Sequence, residues 1–336
     1  MTEFRIRGEA LNAVKCVHGS ADKALDFSSN VNPLGCSPRV MEALKNVDVD
    51  AISKYPDDSY SELKSAIAKK EKVKIENVVL GNGSTELIYL FCYLFIKNGS
   101  PVKIFSPTFS EYEKACKLFG GRINAGIENE MTFICNPNNP TSKLWDRQLV
   151  EEQSGTLFLD ETFMEFTGND KKSVLEDRFT IKSFTKIYGL AGLRLGYGLG
   201  DEKLIERMEK VRPPWNVNSF AAIAAAEAMG DRDHIRKTLE LIKNEKKYLF
   251  KELTGLSYDT EMPDANFFYV GVRSASQLEK GLLERGIAVR NCGSFTGMKD
   301  EDRDRYVRVA IKRRDENERL ISALGSLDND HGSDSE

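Results

Sequence analysis

Five short segments carry the residue types from which a ligand site can be built. Lys186 stands in Ser183-Phe184-Thr185-Lys186, at the end of an apolar run, and Arg194 follows in Gly192-Leu193-Arg194-Leu195-Gly196. Asn136-Pro137-Asn138-Asn139-Pro140-Thr141 comes after a second apolar run, Leu159-Asp160-Glu161-Thr162-Phe163 ends a third, and Gly81-Asn82-Gly83-Ser84-Thr85-Glu86 joins a fourth to a helix-period segment. Alone, such a lysine is ordinarily a solvated surface group, and such a glycine pair an ordinary loop. Together the segments offer an amine, a guanidinium, a carboxylate, a carboxamide and backbone N–H groups at a helix start, where glycines let an anion approach closely. All would lie along one edge of a sheet, where open α/β folds bind their ligands.

The hydrophobic pattern shows which elements must position them. From about 77 to 200, short apolar runs (Val78 to Leu80, Val102 to Phe105, Thr132 to Cys135, Leu157 to Leu159, Ile181 to Phe184, Leu195 to Leu199) alternate with helix-period segments at Thr85 to Lys97 and Ser110 to Phe119. This alternation predicts an α/β fold with a large, mostly parallel sheet. Ser59-Tyr60-Ser61-Glu62 reads as a capping box opening a helix through Lys70. Residues 201–211 and 219–254 read as helices, the second stretch broken near Gly230. Beyond Leu256, strands at Asn266 to Val272, Ile287 to Arg290 and Tyr306 to Lys312, with helices at Ser276 to Arg285 and Asp315 to Leu324, predict a smaller α+β domain. The expected division is 1–31, an N-terminal segment joining the small domain; 32–230, the large domain; 231–325, the small domain; and 326–336, an acidic disordered tail.

Composition excludes several classes of function. The 336 residues suffice for two cores without disulfide staples. Lys plus Arg number 48 against 52 Asp plus Glu, so no positive field is available to attract nucleic acid. Six scattered cysteines form no CxxC pair, and three histidines, His18, His234 and His331, give little material for a metal site. Met1 to Arg7 is charged where a signal peptide would be apolar, and the apolar run Leu87 to Ile96 is about half the ~20 residues of a membrane span, so a cytoplasmic protein with no membrane partner is expected.

The ordered set GNGST, Pro107-Thr108-Phe109, NPNNPT, LDETF, SFTK and GLRLGY resembles that of the fold type I pyridoxal-phosphate enzymes, the aspartate-aminotransferase-like family, over nearly the whole chain. The resemblance implies a fold type I PLP-dependent transferase fold, pyridoxal 5'-phosphate as cofactor and 32–230 as its binding domain. Lys186 would form an imine with the cofactor aldehyde and move protons at Cα, tasks that need an amine of lowered pKa. Asp160 would keep the pyridine nitrogen protonated, so that the ring acts as an electron sink. Asn139 would bond the phenolic oxygen and Phe109 stack on the ring, while Ser84, Thr85, Ser183 and Arg194 would hold the phosphate. Tyr55, in Tyr55-Pro56-Asp57, matches a family tyrosine that reaches the phosphate of the neighbouring protomer, which implies a homodimer with shared sites.

Substrate-side residues come from the two ends of the chain. His18-Gly19, Asp26-Phe27-Ser28-Ser29-Asn30-Val31-Asn32-Pro33-Leu34-Gly35, Val289-Arg290-Asn291-Cys292-Gly293-Ser294-Phe295-Thr296-Gly297 and Tyr306-Val307-Arg308-Val309-Ala310 resemble the threonine-phosphate decarboxylase branch of the family. That resemblance implies a substrate shell of His18, Gly19, Asn30, Asn139, Arg290 and Arg308, the two guanidiniums suiting a substrate with a carboxylate and a phosphate. The expected reaction is decarboxylation of L-threonine O-3-phosphate to (R)-1-aminopropan-2-yl phosphate and CO2 for cobalamin biosynthesis; the alternative is histidinol-phosphate aminotransferase. Phe163 stands where many aminotransferase relatives carry a tyrosine, which favours the decarboxylase, and Ser142 replaces the glycine usual after NPNNPT. The intact Lys186, Asp160, Asn139 and Arg194 set argues against a non-catalytic regulator.

Overall fold

The computed structural model describes residues 24–124, 130–168 and 178–332; His18 and Gly19 lie outside them. The strands, in chain order, are β1 (Leu25–Asp26), β2 (Val78–Gly81), β3 (Pro101–Ile104), β4 (Arg122–Ile123), β5 (Met131–Cys135), β6 (Thr156–Asp160), β7 (Arg178–Ser183), β8 (Gly196–Leu199), β9 (Asp259–Thr260), β10 (Phe267–Gly271), β11 (Ile287–Ala288), β12 (Arg290–Asn291) and β13 (Tyr306–Ala310). Seven form one sheet in the order β2-β8-β7-β6-β5-β3-β4. β8 runs antiparallel to both neighbours, and the other pairings are parallel. The expected mostly parallel α/β sheet is therefore present.

Both faces of this sheet are covered, so its strands are largely apolar, with Lys103 in β3 and Lys182 in β7 as exceptions. β2, β5 and β8 are buried at every residue. On one face, helix Ser84–Phe95 sets Phe91 parallel to Phe179 at 5.4 Å, next to a Phe133–Phe158 stack at 4.8 Å. On the other, the C-terminal turn of helix Ser61–Glu71 brings charge into the interior. Lys182 Nζ lies 2.8 Å from Glu71 Oε2 and 3.8 Å from Glu161, and Glu71 Oε1 accepts from Tyr197 at 2.7 Å.

Register aligns the segments singled out above. Cys135 pairs with Asp160 and Asp160 with Ile181, so the ends of β5, β6 and β7 are level. Gly196 pairs with Gly81 on one side and Ser183 on the other. The amine, carboxylate, carboxamide and glycine-rich loops thus emerge from one sheet edge.

A second, antiparallel sheet has the order β12-β13-β10-β9 and sets Arg290 opposite Arg308. β1 joins β11 in parallel, and the ladder continues through Phe27, whose N–H donates to Ala288 O (2.7 Å) and whose carbonyl accepts from Ala310 N–H (2.9 Å). One continuous buried cluster runs from Leu80 and Tyr197 in the large sheet through Ala221 and Ile242 to Phe267 and Val309 in the small one.

Three expectations need correction. The capping box does not form: Asp57 accepts from both the N–H and the hydroxyl of Ser59, and helix Ser61–Glu71 starts after Tyr60, which has φ 46° and makes no side-chain cap. The strand expected over Ile287 to Arg290 divides at Val289, because β11 pairs with β1 and β12 with β13. The tail expected to be disordered from 326 begins inside helix Arg314–Gly332, since Leu327 continues the buried face of Leu320 and Leu324; residues 333–336 lie outside the described residues. The break near Gly230 does occur, where Asp231 ends helix Ser219–Gly230 and caps Arg232–Gly255 by accepting from His234 N–H.

Candidate active site

An anion cradle forms where β2 turns into helix Ser84–Phe95. Gly83 has φ +74°, and a Cβ there would stand 2.5 Å from Arg194 Nη2; a Cβ on Gly196 would stand 2.5 Å from the Ser84 amide. The two glycines let the Arg194 guanidinium settle against the amides of the helix start. Ser183 and Thr185, both buried, add hydroxyls 2.7 Å apart. Unpaired helix N–H groups, a guanidinium and two hydroxyls together suit a phosphate.

Lys186 follows β7. Its carbonyl accepts from Asn32 N–H at 3.0 Å, and the Asn32 carboxamide donates to Ile187 O at 2.7 Å, so the Asp26–Gly35 segment holds the lysine loop. Its Nζ lies 5.9 Å from the centre of the Phe163 ring. Burial, then the charges of Arg308 and Arg194, push this amine down to about 8, against the opposing pull of Asp160 and Asp26. On the order of a tenth of such amines are uncharged at pH 7, against fewer than one in a thousand at the ordinary value. A nucleophilic lysine needs this shift.

Asp160 is buried at the end of β6. Its Oδ1 accepts from Thr162 N–H at 2.8 Å and its Oδ2 from the Tyr112 hydroxyl at 2.6 Å. Burial raises its pKa, while these donors and Lys186 oppose the rise. Asn139 Oδ1 accepts from Arg308 Nη1 at 2.6 Å, which leaves its NH2 as the end that can donate to a ligand. Phe109 is half-buried, edge-on to Tyr112 with ring centres 5.6 Å apart.

The two arginines flank Phe295, at 5.6 Å for Arg290 and 5.8 Å for Arg308. Arg308 is buried and donates to Ser28 O as well as Asn139; the more open Arg290 donates to Ser294 Oγ at 2.8 Å. Both Nε groups are buried without an acceptor, and both ends of the buried Asn30 carboxamide lack a partner. Asn30 O accepts from Asn266 at 3.2 Å. The loops from the two sheets meet in a Thr108–Thr296 bridge with paired bonds of 3.0 and 2.9 Å.

Ser84, Thr85, Ser183, Arg194, Lys186, Asp160, Asn139, Phe109, Arg308, Arg290 and Asn30 thus surround the C-terminal edge of the large sheet. Tyr55 is not brought there: it is 79% exposed and lies on Trp215, with ring centres 4.5 Å apart. Sequence reasoning missed Tyr112, Thr185, Phe295 and Asp26. Tyr112 stands in the first turn of the helix that follows Phe109, three residues on, and Thr185 between two recognised positions, so proximity in sequence could have drawn attention to both. Ser142 has φ +62°, which accounts for the glycine usual there, and its Oγ accepts from Ala265 N–H at 3.1 Å.

Residues 22–125 and 122–324 match the aminotransferase class I and II family. The chain belongs to that family. Its fold is fold type I and its cofactor is pyridoxal 5'-phosphate. The cradle that a Cβ would fill, the depressed amine and the buried carboxylate fit this group. Among similar proteins, histidinol-phosphate aminotransferase of Moorella thermoacetica is 33% identical over 96% of this chain and 90% of its own. A protein of Caldanaerobacter subterraneus subsp. tengcongensis, provisionally named threonine-phosphate decarboxylase, is 35% identical over 89% of both chains. The crystal structure of histidinol-phosphate aminotransferase from Clostridium acetobutylicum superposes with a TM-score of 0.80 at 30% identity, covering 91% of this chain and 99% of that one. Among the described residues no helix is long and apolar enough to cross a membrane.

Proposed function

We propose that this member of the family decarboxylates L-threonine O-3-phosphate, releasing CO2 and (R)-1-aminopropan-2-yl phosphate for cobalamin biosynthesis. The observation that carries the reading is Phe163, a phenyl ring packed below Lys186 where many aminotransferase relatives offer a hydroxyl. Without that hydroxyl, Asn139 is left as the donor for the cofactor's phenolic oxygen. The resemblance of the Asp26–Gly35 and Val289–Gly297 segments to the decarboxylase branch, and the Caldanaerobacter relative, support the same reading.

When bound, pyridoxal phosphate supplies the electron sink for a bond broken at Cα. Ser84, Thr85, Ser183 and Arg194 would hold its phosphate, Asp160 its ring nitrogen and Phe109 one ring face. Lys186 would be the amine that holds its aldehyde and the group that returns a proton to Cα. Arg308 and Arg290, each with an Nε left without an acceptor, would take the substrate's carboxylate and phosphate between them, and the unpartnered Asn30 carboxamide would add a hydrogen bond. His18 and Gly19 complete this shell by resemblance. The grip of the two arginines would orient the substrate so that the Cα–carboxylate bond, rather than the Cα–H bond, is the one that breaks. Two copies associate through the surface bearing Tyr55 and Trp215, exposed by 79% and 46%, and Tyr55 completes the neighbour's phosphate site.

The second reading, transamination of histidinol phosphate, is favoured by the names of the Moorella and Clostridium relatives. Product analysis separates the two. CO2 and aminopropanol phosphate from threonine phosphate, with no glutamate from histidinol phosphate plus 2-oxoglutarate, is the expected result. Glutamate without CO2 would establish the aminotransferase.

A further inference from the structure

Tyr112 is a fully enclosed tyrosine whose hydroxyl reaches the carboxylate most closely tied to cofactor chemistry. It projects from helix Glu111–Leu118 into the aromatic layer under the sheet, with ring centres 5.9 Å from Phe133 and 6.1 Å from Phe158, and its ring edge meets Phe109. Those neighbours leave the phenol little freedom, and its hydroxyl lands 2.6 Å from Asp160 Oδ2. Thr162 N–H holds Oδ1 from the other side. A phenol in such a core is costly unless it finds a partner, and here the partner is a buried carboxylate that needs donors to stay ionised. The same ring touches the side chain proposed to stack on the cofactor, so one residue ties the stacking face to the anion.

We propose that Tyr112 is a positioning residue that fixes the Asp160 carboxylate, in place and as the anion, opposite the ring nitrogen of bound pyridoxal phosphate. The inference rests on the reading of Asp160 as the partner of that nitrogen. A donor hydrogen bond makes the carboxylate a weaker base. With the phenol removed, the shared proton moves from the ring nitrogen toward Asp160, and the cofactor is held less tightly.

The test is a double-mutant cycle on apoprotein titrated with pyridoxal phosphate, using Y112F, D160N and the double variant, with the 15N resonance of ring-labelled cofactor as a second readout. Y112F is expected to weaken binding about tenfold and to shift the 15N signal toward the unprotonated nitrogen; in the D160N background the same change should alter binding less than twofold. Equal weakening in both backgrounds would reduce Tyr112 to packing and overturn the proposal, as would an unchanged 15N signal in Y112F. D160N binding as tightly as the parent would instead overturn the reading of Asp160, and the proposal with it. Should Y112F fail to fold, 3,5-difluorotyrosine incorporated at position 112 keeps the volume and strengthens the donor; its 15N signal must move the opposite way, toward the protonated nitrogen, or the proposal fails.

Discussion

Lys182 and Lys186 lie four residues apart at and just beyond the end of β7, yet the fold treats their amines in opposite ways. Burial alone would push both down. Around Lys182, Glu71 and Glu161 outweigh burial and carry the amine up, and Lys182 and Lys70 in turn bring Glu71 down to about 2 against its own burial. Around Lys186, the positive charges of Arg308 and Arg194 add to burial and outweigh Asp160 and Asp26, and the amine falls to about 8. The carboxylates within reach therefore decide whether a buried lysine is a structural cation or a reactive base.

Removing each amine tests the contrast. Lys186→Ala should lower turnover by at least about a thousandfold and abolish the cofactor's lysine-linked absorbance, with no loss of apoprotein melting temperature near pH 7, since it removes a destabilised buried cation. Lys182→Met should leave Glu71 with only the more open Lys70 as a countercharge and lower stability by about 3 kcal/mol in urea unfolding, most of which the added change Glu71→Leu should restore. If Lys182→Met instead melts like the parent, the cluster is not the structural half of the pair.

The two sites also differ in pH dependence. Glu71 has a folded pKa below its unfolded value, so its contribution is complete above about 4.5 and is lost as pH falls toward about 2. Lys186 has a folded pKa below 10.5, so burying its charged form costs stability in full below about 8, and the cost fades as pH rises from 8 to 10.5. The rate at which apoprotein takes up pyridoxal phosphate should climb roughly tenfold per pH unit and level off near pH 8. A pH-independent rate would remove the distinction. The smallest effect is expected from Lys70→Met: this partly exposed lysine shares Glu71 with Lys182 and also pairs with Glu165, and its loss should cost about 1 kcal/mol.

How much of this was legible in the sequence varied with the distance over which each feature is decided. β5 and β6 were readable because a strand buried on both faces is largely apolar, β7 only through its end at Ile181 to Phe184, and the residues just past their ends carried recognisable motifs. The division of β11 from β12 was not, since it depends on β1 arriving from the far end of the chain. The Tyr112–Asp160 bond spans 48 residues, and a tyrosine inside an amphipathic helix gives no local sign of what its hydroxyl will meet. The failed capping box shows the reverse case, a correct local motif overridden by a carboxylate two residues upstream. The Lys182 cluster was invisible because a lone lysine in an apolar strand reads as a solvated edge until its partner, 111 residues earlier, is known.

The lacing of β1 and Phe27 into the elements of the chain's far end also sets a schedule. Ser28 meets Arg308 across 280 positions, and Phe27 sits between Ala288 and Ala310. Synthesis proceeds from the N-terminus, so the half of the pocket built on Ser28 and Asn30 waits for nearly the whole chain to leave the ribosome. The large sheet can consolidate first, and a chain cut short before residue 308 would retain the cradle around Ser84 and Arg194 while lacking the wall that chooses what enters it.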